Sequence, residues 1–184
     1  MAMNVCALVG SLRKASYNRY LAHACQELAP SGMTIALFDR LRDLPHYDGD
    51  LDTATPPEPV ADLRATIAAA DALLIVTPEY NFSMPGVLKN AIDWASRPSG
   101  KSCLNKKPAA ILGATPGLMG TVRGQLALRQ SLLFTETYVL MKPEVLVMKA
   151  AEKFDADGKL TDEPTRAVVR QLLAALGPWA ERFA

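Results

Sequence analysis

Along the chain, apolar residues fall into short, nearly continuous runs that alternate with longer segments in which they recur every three or four positions. The runs are Met3 to Val9, Met33 to Phe38, Ala72 to Thr77, Ala109 to Leu112, and a stretch around Tyr138 to Met148 interrupted by Pro143. Continuous rather than alternating character predicts parallel strands covered by helices on both faces. The periodic segments predict five helices. Their stripes are Tyr20, Leu21, Ala24, Cys25 and Leu28; Val60, Leu63, Ile67 and Ala70; Val87, Leu88, Ala91, Ile92 and Ala95; Val122, Leu126, Leu132 and Leu133; and Val168, Val169, Leu172, Leu173, Leu176 and Trp179. Strict alternation of strand and helix implies an open, doubly wound three-layer sandwich. Five such units in 184 residues point to the flavodoxin-like α/β version with a five-stranded parallel sheet. In that architecture the ligand lies beyond the carboxyl ends of the strands, so function should sit in the loops after strands one, three and four.

Composition narrows the classes. At 184 residues, 49% of them hydrophobic and 21% charged, the chain reads as one domain over residues 1–184 with a substantial core and no disordered character. The Pro-rich TATPPEPV is too short for an interdomain linker. A formal net charge of +1 argues against nucleic acid as a main partner. Cys6, Cys25 and Cys103 are odd in number, widely spaced and free of any CxxC pair, which fits a reducing, cytoplasmic location. No basic residue precedes the apolar start, as a signal peptide would need, and no apolar run approaches membrane-spanning length.

Gly10 to Asn18, GSLRKASYN, joins the first strand to the first helix. A helix N-terminus offers unpaired N–H groups and partial positive charge, to which Ser11, Ser16 and Asn18 add neutral donors and Arg13 a charged fork. This predicts a phosphate site; the plain alternative is a Ser N-cap with solvated cations. No G-x-G occurs anywhere, so a dinucleotide fingerprint is absent, and the Gly100-Lys101-Ser102 end of a Walker A pattern has Ala95 at its opening position. The second loop, TPEYNFSMPG from Thr77 to Gly86, combines a stiff exit at Pro78 with aromatic Tyr80 and Phe82, and Ser83 with Pro85 reads as a helix start. Its flat side chains and backbone N–H groups suit a planar heteroaromatic ligand; otherwise it is a proline-bounded turn that buries its aromatics.

GSLRKASYN together with PEYNFSMPGVLKNAIDWASRP resembles the NAD(P)H-dependent FMN reductase family, which includes bacterial quinone, azo and chromate reductases. ATPGLMGTVRGQLALRQ is similar to that family's third flavin loop and following helix, and FDADGKLTDEPTR to its C-terminal segment. The resemblance implies a flavodoxin-like fold holding FMN non-covalently, with NADPH or NADH as co-substrate and a small-molecule electron acceptor. By the same resemblance Ser11, Arg13, Ser16 and Asn18 bind the 5′-phosphate. Pro78, Glu79, Tyr80 and Asn81 border the isoalloxazine and ribityl chain, Pro78 through its backbone, and Thr115 and Gly117 approach the ring's other edge. A homodimer or homotetramer is expected, with Arg129 and Glu144 either a charged pair at the subunit contact or solvated edge positions. Two departures stand out: Phe82 occupies a position where many relatives carry a second Tyr, and Thr121 follows Gly120 where a Gly-Gly pair is common.

Other chemistries find little footing. Setting Gly158 of DADGKLTDEP at the glycine position of an EF-hand places Lys153 and Pro164 where the first and last carboxylates belong. His23 and His46 have no second ligand at metal spacing, no G-x-S-x-G is present, and no side chain stands out as a catalytic nucleophile. The expected activity is therefore flavin chemistry: hydride from NAD(P)H to FMN, then reduction of a quinone-like, azo or chromate acceptor in a ping-pong scheme. The competing class is a flavodoxin-like electron carrier that does not oxidise NAD(P)H.

Overall fold

The computed structural model describes residues 2–183. Its strands are β1 (Met3–Val9), β2 (Met33–Phe38), β3 (Ala72–Val76), β4 (Pro108–Ala114), β5 (Tyr138–Val139) and β6 (Val145–Val147), and its helices are α1 (Tyr17–Glu27), α2 (Glu58–Ala69), α3 (Gly86–Ala95), α4 (Val122–Leu133) and α5 (Glu163–Glu181). All strand pairs are parallel, in the order β2-β1-β3-β4-β5, and β6 joins β4 further along the same edge. This is the flavodoxin-like doubly wound sheet. The interruption expected at Pro143 divides the fifth strand in two: β5 faces Pro108 and Ala109, whereas β6 faces Leu112 to Ala114.

Every residue of β3 and β4 is buried, as continuous apolar runs require. Successive side chains point to opposite faces. Val5, Ala7 and Val9 pack with Leu21 and Cys25 of α1 and with Val169, Leu172 and Leu176 of α5. Cys6 and Leu8 pack on the other face with Leu63 of α2, Leu88 of α3 and Leu128 of α4. Between β2 and α2, the long connection is pinned by Trp94, whose fully buried indole donates to Pro45 O at 2.8 Å and meets the Tyr47 ring edge-on.

The expected stripe of α4 needs correction. The buried side of α4 is Gly124, Gln125, Leu128 and Leu132, whereas Leu126 and Leu133 are 59% and 76% exposed. One residue of offset is about 100° around a helix, which turns both leucines off the core. The helix start expected at Ser83 and Pro85 is where α3 begins, with Pro85 at the cap position and no side-chain cap, while Ser83 closes the preceding turn by exchanging backbone hydrogen bonds with Tyr80 at 2.9 and 3.0 Å.

Because β2 lies on one side of β1 and β3 on the other, successive connections leave β1 in opposite directions. The loops after β1, β3 and β4 therefore gather beside this reversal, at the carboxyl edge of the sheet.

Candidate functional site

The first loop leaves β1 at Gly10, whose N–H is held by Val76 O at 2.9 Å. Ser11 and Ser16 are buried, while Arg13 and Lys14 are exposed. Ser16 caps α1: its Oγ accepts from Asn18 N at 3.2 Å. Among the described residues, the N–H groups of Ser11 to Tyr17 find no acceptor within the chain. The carboxamide of Asn18 spans to β4, donating to Ala114 O at 2.9 Å and accepting from Ala114 N at 2.9 Å. It thus ties the first loop to the third, and this bond, rather than the loop mouth, holds its side chain.

In the second loop, Tyr80 to Ser83 form a tight two-residue turn with Asn81 at φ 50° and Phe82 at φ 64°. Turns of this hand need positive φ at both central positions, which Asn tolerates and a bulky aromatic residue does not favour. The Arg123 guanidinium lies 4.0 Å from the Phe82 ring centroid and offsets that strain. Glu79 accounts for Arg123's position. Its Oε2 accepts from Arg123 N at 2.9 Å and Gly124 N at 3.1 Å, and Oε1 lies 3.4 Å from Arg123 Nη1. The carboxylate of Glu79, placed at the flavin's border by the family resemblance, thus caps α4 from across the site. Gly124 permits the approach, since a Cβ there would lie 3.2 Å from Ser83 O and 3.3 Å from Glu79 Cα. Pro78 is buried, and Tyr80, Asn81 and Phe82 stand exposed.

The third loop is fixed to the exit of β6. Thr115 N donates to Val147 O at 2.9 Å, Ala150 N to Thr115 O at 3.0 Å, and Lys149 N to Gly117 O at 3.0 Å. The hydroxyl of Thr115 turns inward to accept from Gly117 N at 3.2 Å. Pro116, Gly117, Leu118 and Met119 are exposed and face no packing partner that would hide them. Beneath this loop, Gly113 is a close-contact position: a Cβ there would meet Thr77 O and Thr121 Oγ1 at 2.2 Å each.

The donors fit a flavin phosphate. A helix N-terminus with unpaired N–H groups, two buried serines and an exposed arginine suits a dianion, and the exposed aromatic and apolar residues of the other two loops form flat walls for a ring. The chain's own reactive groups are few. Burial pushes the thiols of Cys6 and Cys25 up to about 12 and that of Cys103 up to about 11, which removes them as nucleophiles. Among the described residues, no group of three His, Cys, Asp or Glu is placed to hold a metal ion. A cleft of about 740 Å³ does exist, but it is lined by Met3, Met33, Asp71, Pro108 and the end of α5, at the amino ends of the strands and away from all three loops. Loop convergence, not cleft size, marks the site.

A model of the NADPH-dependent FMN reductase family matches residues 3–152. The chain belongs to that family. Within and around this FMN reductase family, it is 47% identical over 181 residues to an NAD(P)H-dependent FMN reductase of Pseudomonas aeruginosa, covering 98% of this chain and 97% of that protein. It is 42% identical over 179 residues to a 2-hydroxy-1,4-benzoquinone reductase of a Burkholderia species, covering 97% of each. Among solved structures, FerB, a flavoenzyme NAD(P)H:(acceptor) oxidoreductase from Paracoccus denitrificans, matches with a TM-score of 0.90 at 41% identity over 98% of both chains.

Arg129 and Glu144 do not pair directly in this chain. Arg129 Nη2 donates to Leu140 O at 3.1 Å, and Glu144 takes Lys142 Nζ at 2.9 Å. Burial lowers the Arg129 pKa, partly offset by the charge of Glu144. Beside the three loops lie Arg123, Gly113 and Arg42, whose Nη2 donates to Leu12 O at 2.9 Å, none of them singled out by the sequence pattern. For Gly113 a signal was present, a glycine at the end of an apolar strand, which marks close backbone approach. For the two arginines there was none, because their partners lie 30 and 44 positions away.

Proposed function

We propose that this chain is an FMN-dependent NAD(P)H oxidoreductase that delivers electrons to a quinone-like acceptor. The observation that carries the reading is the run of unpaired N–H groups from Ser11 to Tyr17 at the start of α1, opposite an exposed platform with no acid–base or nucleophilic pair. Ser11, Arg13, Ser16 and the backbone of this loop hold the 5′-phosphate, with Asn18 fixing the loop to β4. Pro78, Glu79, Tyr80 and Asn81 line one side of the ring and Thr115 and Gly117 the other; Glu79 contributes backbone here, since its carboxylate is committed to α4. When bound, FMN supplies hydride acceptance from nicotinamide and electron transfer to the acceptor. The protein's part is to hold the phosphate, present flat walls and leave one side open for two substrates in turn. Quinone reductases among the relatives support the acceptor class.

We further place the protein in the cytoplasm as a homodimer or homotetramer. No helix among the described residues is long and apolar enough to cross a membrane. Leu126, Arg129 and Leu133 share one exposed side of α4, with Phe134 75% exposed beside them and Met141 Sδ 3.9 Å from Arg129. A second copy covering this patch would bury it and complete the surroundings of Arg129.

The test is spectroscopic. Purified protein should be yellow, and anaerobic NADPH or NADH should bleach its flavin bands, with colour restored by a quinone. A yellow protein inert to both nucleotides would make it an electron carrier. A colourless protein that fails to take up FMN would end the flavin reading.

A further inference from the structure

We propose that Arg42 is a positioning residue for the phosphate loop, holding the Leu12–Arg13 peptide so that the Arg13 N–H faces the bound phosphate. The proposal rests on the reading of this loop as the FMN phosphate site. Arg42 lies in the short turn Leu41–Asp43 that follows β2, and its Nη2 donates to Leu12 O at 2.9 Å. The turn is anchored on both sides. Leu41 is buried in the core, and Arg40 is gripped by Glu58, by Asp62 at 2.9 Å and by Asp43 at 3.7 Å. A second link, Arg19 to Asp39 at 2.6 Å, ties the first turn of α1 to the same exit from β2.

A trans peptide is planar, with its C=O and N–H pointing in opposite directions. With the Leu12 carbonyl drawn toward Arg42 on the β2 side, the Arg13 N–H points away from β2, toward the side where the loops after β3 and β4 gather. A peptide released from Arg42 can rotate and turn its carbonyl toward the phosphate, replacing a donor by a repelling dipole. A small gap of about 30 Å³ lies between the loop and the turn, lined by Ser11, Leu12, Arg19 and Arg42 among others. The hydrogen bond across the gap sets the peptide's orientation.

The experiment compares FMN with riboflavin, which lacks the phosphate, by fluorescence titration of the apoprotein in the wild type, Arg42→Ala and Arg42→Lys. A charge-assisted hydrogen bond predicts that Arg42→Ala lowers the preference for FMN over riboflavin by roughly fivefold to tenfold while leaving riboflavin affinity unchanged. Arg42→Lys keeps both charge and donor and should recover most of the preference. The deficit should persist at about 0.5 M salt, where a distant charge is screened within roughly 4 Å. An unchanged preference in Arg42→Ala, or a deficit that vanishes in high salt, would overturn the positioning role. A wild type with no preference for FMN over riboflavin would instead overturn the phosphate reading of the loop itself.

Discussion

Glu79 joins two of the three loops, and its removal has a calculable effect. Helix α4 starts at Val122, and its cap residue Thr121 has φ 69° and makes no side-chain cap, so the N–H groups of Arg123 and Gly124 depend on a carboxylate 44 and 45 positions earlier in the chain. With a side chain only 13% exposed, Glu79 is poorly replaced by water. Loss of an N-cap costs about 1 kcal/mol, and two charge-assisted bonds left open at a half-buried helix end raise this to about 2 kcal/mol for Glu79→Ala. Glu79→Gln keeps an acceptor oxygen but loses the charge that faces the helix dipole and Arg123, a cost of about 1 kcal/mol. At an unfolding entropy of about 2.1 cal/mol/K per residue over 184 residues, 2 kcal/mol lowers Tm by roughly 5 °C. Urea denaturation at an unchanged m value is the primary assay, with thermal melting beside it. An Ala variant within about 0.5 kcal/mol of wild type, or a Gln variant as damaged as the Ala variant, would refute the capping argument.

Two further predictions concern the end of the chain and its outer surface. Asp162 caps α5, accepting from Thr165 N at 2.9 Å and Lys153 Nζ at 2.9 Å, and hydrogen bonds from Thr165 and then Lys153 hold its carboxyl down to about 2 against an ordinary 3.8. Because the folded value is the lower one, its contribution is complete above about pH 4 and fades as the pH falls toward 2; the stability gap between wild type and Asp162→Asn should narrow over that window, and a gap constant with pH would count against it. If the proposed oligomer forms through the exposed α4 patch, Leu133→Glu, which places a charge there, should give a monomer on size exclusion with light scattering, with the circular dichroism spectrum retained; an unchanged mass would remove this face from the contact.

What could be read from the sequence follows from how locally each feature is encoded. Strand positions came through because Ala72–Val76 and Pro108–Ala114 are buried on both faces, and burial on both faces leaves an unbroken apolar run. The loop order came through because alternation of strand and helix constrains topology so strongly. At Leu126 and Leu133 the apolar period of α4 departs from its buried side, because that side is built partly from Gly124 and Gln125. Gln125 earns its burial through hydrogen bonds, donating to Thr121 Oγ1 and Val145 O at 3.1 Å each. The contacts of Glu79 and Arg42 are not legible because each side chain bonds a backbone group tens of residues away, and nothing in the local pattern distinguishes such a partner from a solvated charge.

The broken fifth strand bears on how copies of this chain can meet. A sheet offers unpaired backbone groups along its two outer strands, where another chain can add on and extend it. Here the outer line opposite β2 never presents more than the two residues of β5 or the three of β6 in register: after Leu140, whose N–H still bonds Ala109 O at 2.7 Å, Met141 to Glu144 leave the ladder, Arg129 occupies the Leu140 carbonyl and Pro143 has no N–H. At the other margin, Gln26 already occupies the carbonyl of Ile35 in β2 at 2.9 Å. Strand addition would expose a fresh edge with every copy and so has no natural end, whereas a two-fold contact between helix faces closes on itself. The broken β5–β6 margin therefore disfavours open-ended strand addition at that side of the sheet.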